Sequence, residues 1–185
     1  NNLNILNFCD DYIISNSINK LRTENYLKKL IKNLDRLGVK NLILPFYGRS
    51  LMTDENVLDY YKILKKLIKC INNINILIES NISPQSYKIL KKRIKSNKIK
   101  FLFDTGNRIN LNRDLYKDFE KFGRDIGHIH IKDKNSKFQN VLVGKGLVDF
   151  KKFFKIIKKK KYNKNFTFET TRSSNPYLTA KKNIK

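Results

Sequence analysis

The sequence is poor in the features that mark secreted and membrane-spanning proteins. It has only two cysteines in 185 residues, Cys9 in a strand-like segment and Cys70 in an amphipathic one, so we expect two buried free thiols and no disulfide framework. No apolar run approaches the roughly 18 residues that a membrane helix needs, and the polar start NNLN is unlike a secretory signal. These absences predict a cytoplasmic protein with no membrane partner.

Acidic residues are also scarce, with 16 Asp and Glu against 40 Lys and Arg and a net charge of +24. Such a balance raises nucleic acid as a partner, because clustered lysines neutralise phosphates. Here, however, the lysines interleave with apolar residues in runs such as ILKKLIK and ILKKRIK, which is typical of the outer faces of amphipathic helices. We therefore expect solvated helix faces and no nucleic-acid partner, and leave open a general attraction for phosphorylated substrates.

Linker-like segments are missing as well. Only three prolines and seven glycines are present, they form no linker-like stretch, and 40% of the residues are hydrophobic. A chain of this length can bury one sizeable core and is too short for two ordinary domains. We therefore expect one domain over residues 1–185.

Strand-like and helical segments alternate along the chain. The strand-like runs are LNILNFCDDYII, VKNLILPF, NINILIES, IKFLFDTGN, IGHIHIKD and NFTFETT. Helical spacing or a capping residue predicts helices that start near Thr23, Thr53, Ser83, Leu115 and Asp149, and a last short helix over Leu178–Ile184. The helix near Thr53 is predicted to carry its apolar face on Val57, Tyr61, Leu64, Ile68 and Ile71. This alternation indicates an α/β protein with a parallel sheet, either open or closed into a barrel.

Polar residues at successive strand ends favour the barrel. No glycine-rich phosphate-binding motif follows any strand, so the phosphate loop of the common open sheets is absent. Four consecutive strands instead end near Glu79, Asp104, His130 and Glu169, which are 25, 26 and 39 residues apart. In a parallel barrel the carboxyl ends of the strands meet at one mouth, so these side chains can converge.

Strand alternation predicts which side chains face inward. In HIHIKD the two isoleucines take the face toward the helices, so His128, His130 and Lys132 take the inner face. The phenylalanines of FTFE likewise leave Glu169 on the inner face. Three carboxylates and one imidazole suit a divalent metal ion; the set favours Mn²⁺, with Mg²⁺, Co²⁺ and Zn²⁺ as alternatives.

At these residues the sequence resembles the sugar phosphate isomerase/epimerase family, whose fold is the xylose-isomerase-like TIM (β/α)₈ barrel. The segments FDTGN, GHIHIKDK, VLVGKGLVDF and FTFET resemble L-ribulose-5-phosphate 3-epimerase or hexulose-6-phosphate isomerase-like members. The resemblance implies that Glu79, Asp104, His130 and Glu169 are metal ligands on strands five to eight, and that His128 is not one. It also implies an N-terminally truncated barrel with about six βα units, strands three to eight, which agrees with the absent initial Met.

The resemblance implies a chemistry as well. A divalent metal would polarise the carbonyl of a ketose sugar or sugar phosphate, and Glu79 and Glu169 would remove and return a proton beside it through an enediolate. Asn107, Lys132 and Lys145 are candidate substrate-binding residues. For Asn107 a turn role remains open, and for Lys132 an ion pair with a site carboxylate does. Similar barrels commonly form dimers or tetramers, so a homo-oligomer is allowed.

Three alternatives compete with this interpretation. An apurinic endonuclease on the same barrel needs many histidines for its multi-zinc site, and this chain has two. A dehydratase acting on inosose- or dehydroshikimate-type substrates shares the first proton abstraction and stays open. An inactive barrel fragment that binds a sugar is the third alternative.

Overall fold

The computed structural model describes residues 4–111, 113–171 and 174–184. Strands and helices alternate along these residues, as the sequence predicted. The chain forms two compact units, the first ending at Phe101 and the second beginning at Leu102, within one strand.

The first unit contains parallel strands joined by helices. Its strands are β1 (Asn7–Cys9), β2 (Asn41–Pro45), β3 (Asn75–Glu79) and β4 (Ile99–Asp104), which runs into the second unit. Each strand pairs in parallel with the next, in the order β1-β2-β3-β4. The helices are α1 (Tyr12–Ser15), α2 (Leu21–Arg36), α3 (Tyr61–Ile68) and α4 (Pro84–Ile94), with 3₁₀ turns at Gly48–Ser50 and Val57–Tyr60.

Strands β2 and β3 are apolar on both faces, which explains why they form the inside of a parallel sheet. Four of the five residues of each strand are buried. Helix α2 adds Leu27, Ile31 and Leu34 to the core, at helical spacing. Burial of these side chains is the main stabilising contribution in this unit.

An asparagine ladder joins the amino ends of the first three strands. Asn7, Asn41 and Asn75 are partners in the strand register. The Nδ2 of Asn41 donates to Oδ1 of Asn7 at 2.8 Å, and the Nδ2 of Asn75 donates to Oδ1 of Asn41 at 3.1 Å. Side-chain amides pair well this way because each carries both donors and an acceptor.

Helix α3 departs from the sequence prediction. It starts at Tyr61, after a 3₁₀ turn, and its buried residues are Ile63, Leu64 and Leu67. The predicted face that included Tyr61, Ile68 and Ile71 was therefore partly wrong. A 3₁₀ turn has about three residues per turn where an α-helix has about 3.6, so it changes which residues of α3 share a face with Val57. A prediction that assumes one continuous α-helix from Thr53 therefore assigns the wrong residues to the buried face.

The second unit is rich in short elements. Its helices are α5 (Thr105–Ile109), α6 (Leu115–Phe122), α7 (Phe150–Lys159) and α8 (Pro176–Ile184), with a 3₁₀ turn at Gly123–Asp125. Its strands after β4 are β5 (Ile126–Ile131), β6 (Asp133–Lys134), β7 (Asn140–Val141) and β8 (Phe166–Phe168). Strands β5 and β8 pair in parallel, while β6 and β7 form an antiparallel hairpin between β5 and α7.

Aromatic side chains fill the core of the second unit. Phe119 packs edge-on against Phe103 and Phe153 at ring centroid distances of 5.2 and 5.1 Å. The guanidinium of Arg108 lies 5.1 Å from the ring centroid of Phe122 and pairs with Asp118 at 2.5 Å. Arg108 is only 2% exposed, so this ion pair is buried among rings.

The cysteine prediction was correct in one respect and wrong in another. Both cysteines are free thiols, but Cys9 is exposed and Cys70 is half-buried. Cys9 lies on β1, the first strand in the sheet order, which within the described part of the chain pairs with β2 alone. Among the described residues, no helix is long and apolar enough to cross a membrane.

Candidate metal centre

Asp104 is held rigidly at the junction of β4 and α5. It is the last residue of the strand and the N-cap of the helix, and its Oδ1 accepts a hydrogen bond from the backbone N–H of Asn107 at 2.7 Å. Asp104 is only 2% exposed. One carboxylate oxygen therefore caps the helix, which leaves Oδ2 directed toward neighbouring side chains.

His130 and Glu169 meet because β5 and β8 are parallel neighbours. The backbone N–H of Glu169 donates to the carbonyl of Ile131 at 3.0 Å, which extends the strand pairing one residue beyond Phe168. The Nδ1 of His130 lies 2.8 Å from Oε2 of Glu169 and 3.9 Å from Oδ2 of Asp104. Ligand atoms of Asp104, His130 and Glu169 lie within 4.8 Å of one another.

Lys132 forms ion pairs with both carboxylates of this group. Its Nζ lies 3.0 Å from Oδ2 of Asp104 and 2.6 Å from Oε1 of Glu169. The ion-pair alternative that the sequence left open for Lys132 is therefore what the structure contains.

The backbone of Lys132 is fixed by Thr105, the first residue of α5. The Oγ1 of Thr105 accepts from the Lys132 N–H at 2.9 Å and donates to the Lys132 carbonyl at 2.6 Å. Gly106 follows Thr105, and a Cβ at that position would lie 2.5 Å from Cγ of Lys132. The lysine stem thus packs directly against the backbone of α5, in a space that only glycine leaves open.

The charges of the cluster stabilise one another. Burial alone would raise the pKa of Glu169, but hydrogen bonds from His130 and Lys132 outweigh it and lower that pKa to about 2. Burial alone would lower the pKa of Lys132, but Asp104 and Glu169 outweigh it and raise that pKa above its ordinary value. Glu169 is consequently an anion and Lys132 a cation at neutral pH.

His128 lies on the same strand face as His130 but faces another partner. Its Nε2 lies 2.8 Å from Oγ1 of Thr167, and its ring is edge-on to that of His130 at 5.5 Å. Burial, and to a smaller extent His130, lowers the pKa of His128 to about 4, so its ring is neutral at pH 7. This position suits a supporting role beside the cluster.

Glu79 belongs to the first unit, where it ends β3. It is 7% exposed. Its backbone carbonyl accepts from the N–H of Phe46 at 2.7 Å, which fixes the strand end. A buried carboxylate at the carboxyl end of a parallel strand is the placement that the sequence predicted for it.

The other two predicted substrate residues are less closely tied to the cluster. Asn107 lies in the first turn of α5 and contacts Asp104 through its backbone N–H. Lys145 is exposed on the loop between β7 and α7, and its ammonium is in none of the ion pairs found among residues 4–111, 113–171 and 174–184. The roles of both residues in binding substrate stay predictions.

Asp133 is a structural residue that the sequence analysis did not single out. It is fully buried, and its carboxylate accepts from the backbone N–H groups of Gly144, Gly146 and Val148 at 3.0, 2.8 and 3.1 Å. A Cβ at Gly146 would lie 2.4 Å from Oδ1 of Asp133. The glycines of VGKGLV therefore permit the loop to wrap around this carboxylate, whose oxygens satisfy three backbone N–H groups of the loop.

The donor set fits a divalent metal ion. Two carboxylates and one imidazole, with ligand atoms within 4.8 Å of one another, are the oxygen and nitrogen donors that Mn²⁺, Zn²⁺ and related ions take in proteins. The rigid backbone on both sides of the cluster, at Asp104 and at Lys132, would hold such donors in place.

Comparison with known proteins assigns the fold. The model of the xylose isomerase-like TIM barrel family matches residues 2–185. The chain belongs to the xylose isomerase-like TIM barrel family. The fold predicted from the strand pattern and the motifs is therefore confirmed, and the cluster at the strand ends lies where barrels of this kind carry their active sites.

A curated protein matches part of this xylose isomerase-like chain in sequence. An uncharacterized protein of Methanocaldococcus jannaschii is 34% identical over an alignment of 115 residues, which covers 55% of this chain and 45% of that protein. The chain thus matches less than half the length of that curated relative.

Three solved structures of the same fold cover most of the chain. The probable 3-DHS dehydratase AsbF of Bacillus anthracis is 14% identical with a TM-score of 0.76, over 97% of this chain and 75% of AsbF. The IolI protein with a bound zinc atom is 15% identical with a TM-score of 0.73, over 97% and 72%. The 3-keto-D-glucoside 4-epimerase YcjR of E. coli is 14% identical with a TM-score of 0.72, over 98% and 78%.

Proposed function

We propose that this protein is a divalent-metal-dependent isomerase or epimerase that acts on a ketose sugar or sugar phosphate. The observation that carries the proposal is the cluster of Asp104, His130 and Glu169 at the carboxyl ends of β4, β5 and β8. Such a cluster offers hard donors to a metal and carboxylates to a proton, which are the two requirements of this chemistry.

Four residues would hold the metal: Glu79, Asp104, His130 and Glu169. Glu79 is included because it is a buried carboxylate at the carboxyl end of β3, as Asp104 is at the carboxyl end of β4. When bound, the ion would polarise a substrate carbonyl and acidify the neighbouring C–H group. We favour Mn²⁺, with Mg²⁺, Co²⁺ and Zn²⁺ as alternatives.

The protein's own residues would position the substrate and move the proton. Glu79 and Glu169 would act as base and acid on the carbon beside the carbonyl, one removing a proton and the other returning it. Lys132 can donate a hydrogen bond to a substrate oxygen as the enediolate charge develops. Asn107 and Lys145 would bind hydroxyl or phosphate groups at the edge of the site.

The activities named for the similar structures are compatible with this chemistry, but they do not distinguish epimerisation or isomerisation from dehydration. An epimerase and a probable dehydratase occur on the same fold, and one protein binds zinc. Epimerisation, isomerisation and dehydration can all begin by removing a proton next to a carbonyl. Dehydration is therefore the second candidate, and product analysis separates it from the first.

The experiment is to load the purified chain with Mn²⁺ and incubate it with ketoses and ketose phosphates in D₂O. We expect deuterium on a carbon next to the carbonyl, detected by NMR, with loss of exchange on chelation. Glu169→Gln should abolish exchange, while Glu120→Gln, which changes an exposed glutamate on α6, should not. Unchanged metal content in a Glu79→Gln/Glu169→Gln double variant would refute the ligand assignment.

Two outcomes would redirect the proposal. Formation of an unsaturated product with loss of water would favour the dehydratase. Binding of metal with no exchange on any ketose would favour an inactive sugar-binding barrel. A cytoplasmic location, the absence of a nucleic-acid partner and a homo-oligomeric state belong to the same proposal, and cell fractionation, a nucleic-acid binding assay and light scattering test them.

A further inference from the structure

We propose that Lys132 is a built-in counter-cation of the metal centre, which competes with a divalent ion for Asp104 and Glu169 and so sets the affinity for that ion. This inference rests on the proposed function, because it takes both carboxylates as metal ligands. It adds a role for Lys132 that is independent of substrate.

The ammonium of Lys132 contacts the same atoms that a metal would need. Its Nζ lies 3.0 Å from Oδ2 of Asp104, and the same oxygen lies 3.9 Å from Nδ1 of His130. The other oxygen, Oδ1, caps helix α5. On Glu169, Lys132 takes Oε1 at 2.6 Å and His130 takes Oε2 at 2.8 Å. A cation bound among these oxygens would lie close to the ammonium.

The position of Lys132 is imposed by its surroundings. The residue is 5% exposed, its N–H and carbonyl are both bonded to Thr105, and its stem packs against Gly106. A lysine on the surface could turn away into water at little cost, whereas this one has few alternatives. The ammonium is therefore held between the carboxylates until a competing cation displaces it, and that displacement has a cost in packing.

The energetic consequence follows from the charges. Two carboxylates this close repel each other unless a cation lies between them, and Lys132 supplies that cation. A divalent ion gains less from carboxylates that are already neutralised, and it is also repelled by the ammonium at short range. Lys132 should therefore stabilise the metal-free protein and weaken binding of the metal.

The test compares Lys132→Met with Lys134→Met. Methionine keeps an unbranched apolar stem and removes the charge. Lys134, two residues further along in β6, forms no ion pair with Asp104 or Glu169 among the described residues and gives the same change in net charge. Mn²⁺ binding to the full chain is measured by calorimetry, and the melting temperature is measured with and without Mn²⁺.

We expect Lys132→Met to bind Mn²⁺ at least tenfold more tightly than wild type, with a lower melting temperature before metal is added and a larger rise on adding it. Lys134→Met should bind within about twofold of wild type, because a solvated charge is screened by water and salt. Equal or weaker Mn²⁺ binding in Lys132→Met overturns the inference, because the loss of a lysine with only a structural role would lower both the stability and the affinity for Mn²⁺. Equal tightening in both variants overturns it too.

A measurement on the wild-type protein tests the inference even if the variant misfolds. Reductive methylation of Lys132, followed by peptide mass spectrometry, should increase when Mn²⁺ binds and displaces the ammonium from the carboxylates. Unchanged labelling overturns the inference. If wild type binds no divalent ion at all, the proposed metal centre fails and this inference fails with it, whereas binding without these effects leaves the proposed function intact.

Discussion

Gly106 is the residue on which the position of Lys132 most directly depends. It lies in the first turn of α5, and a Cβ there would approach Cγ and Cδ of Lys132 to 2.5 and 2.8 Å. Real Cβ atoms do not come so close to other heavy atoms, so either the lysine stem or the helix would have to shift.

Gly106→Ala should therefore destabilise the protein and disturb the cluster. We expect a loss of about 1–3 kcal/mol in the free energy of unfolding, the usual cost of overpacking a buried site. Urea unfolding of Gly106→Ala, Lys132→Ala and the double variant measures the coupling. Part of the cost of Gly106→Ala should disappear in the Lys132→Ala background, where Cγ and Cδ are absent and Cβ of residue 132, at 2.9 Å, remains. An equal cost in both backgrounds would show that the strain lies elsewhere.

The predictability of single residues depended on whether their signal was local. His130 and Glu169 were predicted to share a face because strand alternation is a local rule, and the structure brings them to 2.8 Å. The link between Asp133 and the Gly144–Val148 loop was not predicted, because a buried carboxylate that accepts backbone N–H groups is defined by the folded loop. No period in the sequence encodes such an arrangement.

Glu24 links two helices of the first unit. It lies on α2, where its Oε1 is 2.5 Å from Nζ of Lys28, and its Oε2 is 2.8 Å from Nζ of Lys66 on α3. Hydrogen bonds from Lys28 and then from Lys66 lower the pKa of Glu24 below its ordinary value. The folded state therefore favours the ionised carboxylate, and this contribution depends on pH.

Glu24→Gln should destabilise the protein at pH 7 by less than about 1 kcal/mol, because both lysines are partly solvated and water screens such pairs. Because the folded pKa is lowered, the contribution is present above the unfolded value of about 4.3 and is lost as the pH falls through the lowered folded pKa. Unfolding of wild type and Glu24→Gln, measured from pH 7 to pH 3, should show the difference shrinking toward zero.

Glu120→Gln is the matched control for this effect. Glu120 pairs with Lys160 at 3.3 Å, and its side chain is 38% exposed against 9% for Glu24. Its substitution should change the unfolding free energy at pH 7 by less than that of Glu24. A difference for Glu24→Gln that grows as the pH falls would contradict the ion-pair explanation.

At the scale of elements, the sequence predicted strands better than helix phases. The six runs predicted as strands all contain one, because alternating and continuous apolar runs bounded by polar residues are distinctive. Asn7, Asn41 and Asn75 recur at intervals of 34 residues, and their register reflects three similar βα units. The phase of α3 was missed because nothing in its apolar pattern reveals the 3₁₀ turn before it.

The whole molecule carries a large surplus of positive charge. The net charge is +24, and of its many lysines only a few pair with carboxylates among the described residues. Most lysines are exposed, many of them on helices as the interleaved pattern predicted. Like charges on a compact protein repel one another, and unfolding lets them separate. Lysine repulsion should therefore limit stability at low salt.

Raising the ionic strength should therefore stabilise the folded chain. At about 0.1 M salt the screening length falls to about 10 Å, which weakens repulsion between separated surface charges more than the contacts in the buried cluster. We expect the melting temperature to rise by several degrees between dilute buffer and moderate NaCl, since about 1 kcal/mol corresponds to roughly 2–4 °C for a chain of this size. Calorimetry in the presence of a chelator measures the melting temperature free of any effect of metal binding.

Choline chloride at equal ionic strength should give the same rise in melting temperature, because screening depends on ionic strength rather than on the cation. A melting temperature that falls with either salt would mean that attractive ion pairs, such as those of Glu24, outweigh the repulsion among the lysines.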